Sequence, residues 1–156
     1  MGKSKSQSLV TESADELFYM AELDIMNVDS LVTKPKYPVD RMYTIICFHV
    51  TMAVEKILKG FIINNGKNIE KIHNLDILYK IAVEIDASFE QIADCCLLLN
   101  TYIPDVKYSN KNIITKQDMD KILEALEVIC NFSPIKSMRN SFAKKHNYEI
   151  VAEING

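Results

Sequence analysis

The stretch from about Val39 to Asn64 constrains the fold more than any other part of the chain, because its apolar side chains recur every three or four residues. That spacing places side chains on one face of an α-helix. The stretch ends at Asn64-Asn65-Gly66, which is typical of a helix C-terminus. We therefore predict one long amphipathic helix that buries the stripe Ile46, Val50, Ala53, Ile57 and Phe61.

Start and stop signals predict shorter helices on both sides of the long one. Ser13 with Glu16 forms a capping-box pattern before a first helix, which ends near Thr33 because Lys34-Pro35-Lys36-Tyr37-Pro38 follows. Later helices are predicted to start at Asn74, near Ser88, at Thr115 with Asp118, and at Ser133-Pro134, where proline suits the first turn. The segment 101–114 is predicted to be a loop.

The apolar positions of these helices define a predicted core, and no alternating, strand-like pattern competes with them. The sequence therefore predicts an all-α, up-and-down helical bundle of four to five main helices. The inward positions are Phe18, Ala21, Ile25, Val28 and Val32, then Leu75, Leu78 and Ala82, then Ile92, Cys95, Cys96 and Leu99, then Met119, Ile122, Leu123, Leu126 and Ile129.

Length and composition predict a single domain. A chain of 156 residues with 48% apolar and 25% charged residues can bury a core of its own. We expect a flexible arm at 1–12, the helical domain at 13–146 and a tail at 147–156. No run approaches the roughly 18 apolar residues of a membrane span, so no membrane partner is expected.

The four cysteines, Cys47, Cys95, Cys96 and Cys130, lie among apolar residues and form no C-x-x-C pair. Adjacent cysteines are a poor ligand set for one tetrahedral metal. Buried free thiols are therefore predicted, with no metal and no cofactor. Such thiols fit a reducing compartment, and with no secretory signal at the N-terminus the expected location is cytoplasmic.

A sequence motif on the long helix identifies a family. It reads Cys47-Phe48-His49, then Ala53-Val54-Glu55-Lys56-Ile57-Leu58-Lys59, then Gly66, then Lys71-Ile72-His73-Asn74-Leu75. This resembles the HEPN family, and Leu99-Asn100-Thr101-Tyr102 and Lys107-Tyr108 resemble later parts of its pattern. The resemblance implies a helical bundle that binds nucleotides or RNA, usually as a homodimer, in some cases beside a nucleotidyltransferase. The chain departs from the family at Val50-Thr51-Met52, at Lys107 and at Ser109.

The candidate ligand-binding residues follow from this motif and from helical spacing. Three of them, His49, Lys56 and Lys59, fall with Met52 and Ile63 near one face of the long helix, apart from the apolar stripe. That face is either one wall of an anionic-ligand groove or a solvated flank packed by lysine stems. The resemblance adds His73, Lys107 and Tyr108, although a histidine before a helix can equally serve to fix a loop.

A candidate catalytic pair lies near the C-terminus. Arg139-Asn140 and His146 resemble the arginine–histidine motif of catalytic HEPN proteins, and two helical turns put both side chains on one face. The imidazole could move the proton of an RNA 2′-hydroxyl while the guanidinium holds the phosphate, without a metal. The alternative is a basic helix whose Arg139 and His146 sit in water.

Charge distribution bears on this choice. The net charge of −3 gives no general attraction to nucleic acid, so binding requires a local patch. Residues 134–148 contain no acid, and Lys136, Lys144 and Lys145 make that segment basic. Three functions therefore stay open: a nucleotide- or RNA-binding protein, a toxin-like, metal-independent endoribonuclease of a toxin–antitoxin pair, and a structural helical adaptor.

Overall fold

A computed structural model describes residues 13–33, 39–69, 71–103 and 114–154, and within these ranges the chain is helical with no strand. The all-α prediction is confirmed. The predicted arm at 1–12 and most of the loop at 101–114 lie outside the described residues. The α-helices are α1 (Ala14–Thr33), α2 (Val39–Asn64), α3 (Leu75–Ile85), α4 (Ala93–Asn100), α5 (Lys116–Asn131) and α6 (Ser133–His146).

Helix starts follow the predicted caps. The Ser13 hydroxyl accepts a hydrogen bond from the Glu16 amide, and the Asn74 side chain accepts one from the Ile77 amide. Thr115 and Asp118 form a complete capping box. Each bond satisfies an amide that the helix itself leaves without a partner.

The predicted fourth helix is two elements instead of one. A 3₁₀ helix covers Ala87–Ile92, and α4 begins only at Ala93. The Asp86 carboxylate accepts hydrogen bonds from both the amide and the hydroxyl of Ser88, which holds the chain in a tight turn where an α-helix was predicted. Such local side-chain bonds compete with α-helix formation.

The central helix is α2, which packs along α1 and also contacts α3, α5 and α6. Its whole predicted stripe is buried. Aromatic pairs extend the core, with Phe18 stacked on Phe142 at 4.6 Å and Phe61 on Phe89 at 4.4 Å between ring centroids. Four of the predicted inward residues are only half-buried, but they pack against the core: Val32, Cys95, Met119 and Leu123.

All four thiols are free, and three of them are buried. Burial raises the pKa of Cys47 and Cys96 to about 12 and that of Cys130 to about 11, because the thiolate would be desolvated. The pKa of half-buried Cys95 is also raised, first by burial and then by the charge of Asp94. No helix in the described ranges is long and apolar enough to cross a membrane.

Thiol labelling should follow this order of burial. With Ellman's reagent at pH 8, we expect Cys95 of the native protein to react first, because it alone of the four is half-exposed. Labelling of Cys47, Cys96 and Cys130 should wait for unfolding, since the reactive species is the thiolate. In denaturant all four should react. Fast native labelling of Cys96, detected by mass spectrometry, would contradict the described packing.

Candidate functional site

A carboxylate on α1 joins two of the candidate residues on α2. Asp24 Oδ1 lies 2.9 Å from His49 Nδ1, and Asp24 Oδ2 accepts a hydrogen bond of 2.6 Å from Lys56 Nζ. Asp24 itself is buried. Because its partner is a carboxylate, Nδ1 of His49 carries the hydrogen, and Nε2 is the ring nitrogen left for a ligand.

A second carboxylate, that of Glu55, contacts two further candidate residues, Lys59 and His73. Glu55 Oε2 lies 3.1 Å from Lys59 Nζ and 3.0 Å from His73 Nδ1, and these two nitrogens are 3.4 Å apart. Lys59 and Glu55 are buried, whereas the His73 side chain is 68% exposed. Lys59 therefore does not lie on a solvated flank as one alternative required, because Glu55 draws its ammonium inward.

The candidate residues that were predicted to share one face of α2 therefore belong to two separate clusters. His49 and Lys56 form one with Asp24, and Lys59 and His73 form the other with Glu55. In each cluster a buried carboxylate offsets the lysine charge, so neither presents a bare cation to solvent. Lys107 and Tyr108, the remaining candidate ligand residues, lie outside the described residues.

Next to His49, α2 exposes an aromatic ring. Phe48 is 48% exposed, and its ring stands edge-on to that of His49 with centroids 5.5 Å apart. Half-buried Met52 lies one turn further along the same side. An exposed ring beside a fixed imidazole can stack on a planar group and hydrogen-bond to it.

Arg139 is buried against α1. Its Nε donates to Glu22 Oε2 at 2.6 Å, and its Nη2 donates to Glu22 Oε1 at 2.8 Å. Burial by itself lowers the pKa of Arg139, but the hydrogen bonds and charge of Glu22 outweigh it and raise the pKa above its ordinary value. The guanidinium is therefore a fixed positive charge whose fork is occupied by one carboxylate.

His146 faces the same helix two turns away. Its Nε2 lies 2.9 Å from Asp15 Oδ2, and Lys145 Nζ approaches the same oxygen at 3.3 Å. Arg139 and His146 thus share the α1-facing side of α6, but each has its own carboxylate. Asn140 is exposed, on the other side of α6.

The chain after α6 closes over the Arg139–Glu22 pair. Asn147 ends the helix in the left-handed conformation, at φ 60°. Arg139 Nη2 donates to the Val151 carbonyl at 3.1 Å, and the Val151 amide donates to Glu22 at 3.4 Å. Tyr148 packs edge-on against Tyr19, and its buried hydroxyl has no partner among the described residues.

Comparison with protein families gives one match. A family model of the HEPN domain matches residues 37–138, which is more than half of the chain. The chain belongs to the HEPN family. Comparisons with curated proteins and with solved structures give no significant match.

The HEPN match covers the α2 residues of both clusters and His73 but not Asp24, and it ends at Met138, one residue before Arg139. Family membership fits a function related to nucleotides or RNA in general. Within the HEPN motif, Cys47 and Leu58 are core residues, whereas Phe48 and His73 are exposed. The motif therefore contains both positions that maintain the bundle and positions that a ligand can reach.

Sequence reasoning missed the acidic partners on α1: Asp15, Glu22 and Asp24. One signal was present, because Asp15 and Glu22 are two helical turns apart, the same spacing as Arg139 and His146. When two helices pack antiparallel, residues with the same spacing on each helix can form two pairs, here Glu22 with Arg139 and Asp15 with His146. Asp24 gave no comparable signal, since it precedes the buried Ile25 without any basic residue nearby in the sequence.

Proposed function

We propose that this HEPN domain is a nucleotide- or RNA-binding module whose ligand lies against the exposed side of α2, at Phe48, His49 and Lys56. The observation that carries this proposal is the double role of Asp24, which orients the His49 ring and holds Lys56 beside it. Side chains positioned by a buried group lose little entropy when a ligand arrives.

The chemistry of this surface suits a base with its attached phosphate. The Phe48 ring offers a stacking surface for the base, and such stacking is worth about 1–3 kcal/mol per base. His49 Nε2 can accept or donate one hydrogen bond, and Lys56 supplies a cation that Asp24 partly offsets. Stacking, rather than bare charge, should therefore provide most of the affinity.

The state of Arg139 favours binding over catalysis in this chain. A catalytic guanidinium must reach the phosphate, whereas the fork of Arg139 is occupied by Glu22 and covered by the Val151 segment. Endoribonuclease chemistry would require that buried pair to separate. Ribonuclease activity, a homodimer, a nucleotidyltransferase partner and a purely structural role stay predictions from the sequence.

Replacing Phe48 with alanine should weaken binding of a fluorescein-labelled, mixed-sequence 12-nucleotide RNA by about 5- to 150-fold in fluorescence anisotropy, the size of one base-stacking interaction. The fold should survive because the ring is half-exposed. Ile77→Ala, an equally exposed apolar residue on α3, is the control and should bind as wild type does.

Phe48 is a cleaner probe than the lysines. Removing Lys59 would leave Glu55 buried without its cation, so weaker binding could reflect lower stability. Unchanged affinity in Phe48→Ala would place the site elsewhere on the domain. A wild-type protein that binds neither this RNA nor labelled ATP would overturn the proposed function.

A further inference from the structure

The C-terminal helix α6 has a second side that no contact within the described residues explains. Its inner side packs on the bundle through Ile135, Arg139 and Phe142. On the opposite side, five polar side chains are exposed and have no side-chain hydrogen bond or ion pair among the described residues: Lys136, Ser137, Asn140, Ser141 and Lys144. We call these five residues the outer face of α6.

The outer face carries two lysines on a helix without acidic residues. No aspartate or glutamate occurs anywhere in α6, although the chain as a whole has a net charge of −3. Two exposed lysines on other helices lie beside acids, Lys80 with Asp76 and Lys116 with Asp120. Lys136 and Lys144 are not offset in this way, so their positive potential is available to an anion.

The spacing on the helix suits a repeating anion. Lys136, Asn140 and Lys144 follow one another at four-residue intervals, which puts them in one row along the helix. The two lysines are therefore about 12 Å apart along the axis, so each can contact a different phosphate of one strand. Ser137 and Ser141 form the next row and add hydroxyl groups.

We propose that the outer face of α6 binds the sugar–phosphate backbone of an RNA strand. Lysine, serine and asparagine are side chains that contact phosphate and sugar without reading the base. This proposal rests on the proposed function and extends it, because it separates backbone contacts on α6 from base stacking at Phe48. It also lies on the side of α6 opposite Arg139 and His146, so it does not depend on catalysis.

The test is a double substitution, Lys136→Gln with Lys144→Gln, measured against a fluorescein-labelled 20-nucleotide oligouridine. Removing one lysine–phosphate interaction should reduce the slope of log affinity against log salt by about 0.7, and removing both should reduce it by roughly 1.4. At low salt the affinity should fall by at least about fivefold. Binding of labelled ATP, whose base would stack at Phe48, should be unchanged.

The matched control is Lys80→Gln with Lys116→Gln, which alters the net charge equally on other helices and should leave the salt slope at the wild-type value. Thermal unfolding should be unchanged in the α6 variant, because its side chains are exposed. If wild type binds the RNA and the α6 variant keeps its slope, the inference is overturned. If wild type binds neither RNA nor ATP, the proposed function itself fails.

Discussion

Replacing Arg139 with alanine should lower the free energy of unfolding by about 3–5 kcal/mol, the usual cost of removing one partner of a buried ion pair. Glu22 would be left buried with its charge uncompensated, since both its oxygens bond to the guanidinium. The Val151 carbonyl would also be left without the hydrogen bond from Arg139. Urea unfolding followed by circular dichroism measures the effect.

Two further variants identify the source of this destabilisation. Arg139→Lys keeps the charge but not the fork, so it should recover only part of the stability. Glu22→Leu combined with Arg139→Met removes both charges and should be more stable than Arg139→Ala alone, because an apolar pair of similar volume can replace a buried ion pair. An Arg139→Ala protein as stable as wild type would show that the guanidinium is free for a ligand.

The second large effect concerns the contact between α1 and α2. Phe18 is fully buried and stacks on Phe142, so Phe18→Ala should cost about 3–5 kcal/mol. Gly60 on α2 provides room for this ring, since a Cβ at Gly60 would lie 2.7 Å from Phe18 Cε2. Gly60→Ala should therefore destabilise the wild-type protein, with overpacking costing about 1–3 kcal/mol.

Whether Gly60→Ala raises or lowers the free energy of unfolding depends on the residue at position 18. In Phe18→Ala the ring is gone, and alanine in place of glycine inside a helix should then stabilise by about 0.8–1 kcal/mol. A double-mutant cycle in urea measures this coupling. Ser141→Ala, exposed on α6, serves as a control that should change stability little in either background. A Gly60→Ala effect of the same sign and size in both backgrounds would contradict the close contact with Phe18.

Local features of the sequence predicted most of the helices. The bounds of α2, its buried stripe, the caps at Asn74 and Thr115 and the start of α6 all appear as predicted. These features depend on residues within a few positions of one another. The wrong prediction of an α-helix at 87–92 also has a local cause. The hydrogen bond from Ser88 to Asp86 joins residues as close in sequence as those of a helix cap, but it favours a tight turn.

The candidate site depended on contacts between distant parts of the chain. His49 and Lys56 were named from helical spacing, but their shared partner Asp24 is 25 and 32 residues away from them. Arg139 was named as a catalytic candidate, and its partner Glu22 is 117 residues away. Helical periodicity relates residues within one helix, so it did not by itself assign Asp24 to His49 or Glu22 to Arg139.

The sequence by itself determined the helices, the family and the group of polar residues from which a site can be made, because apolar periodicity, caps and the motif act over short distances. Only the tertiary structure decided which of those polar residues are free. The packing of α1 against α2 and α6 brings Asp24 to His49 and Lys56, and Glu22 to Arg139. A buried charge must be paired, so that packing turned Arg139 into part of the interior. It left Phe48 and the outer face of α6 exposed to solvent.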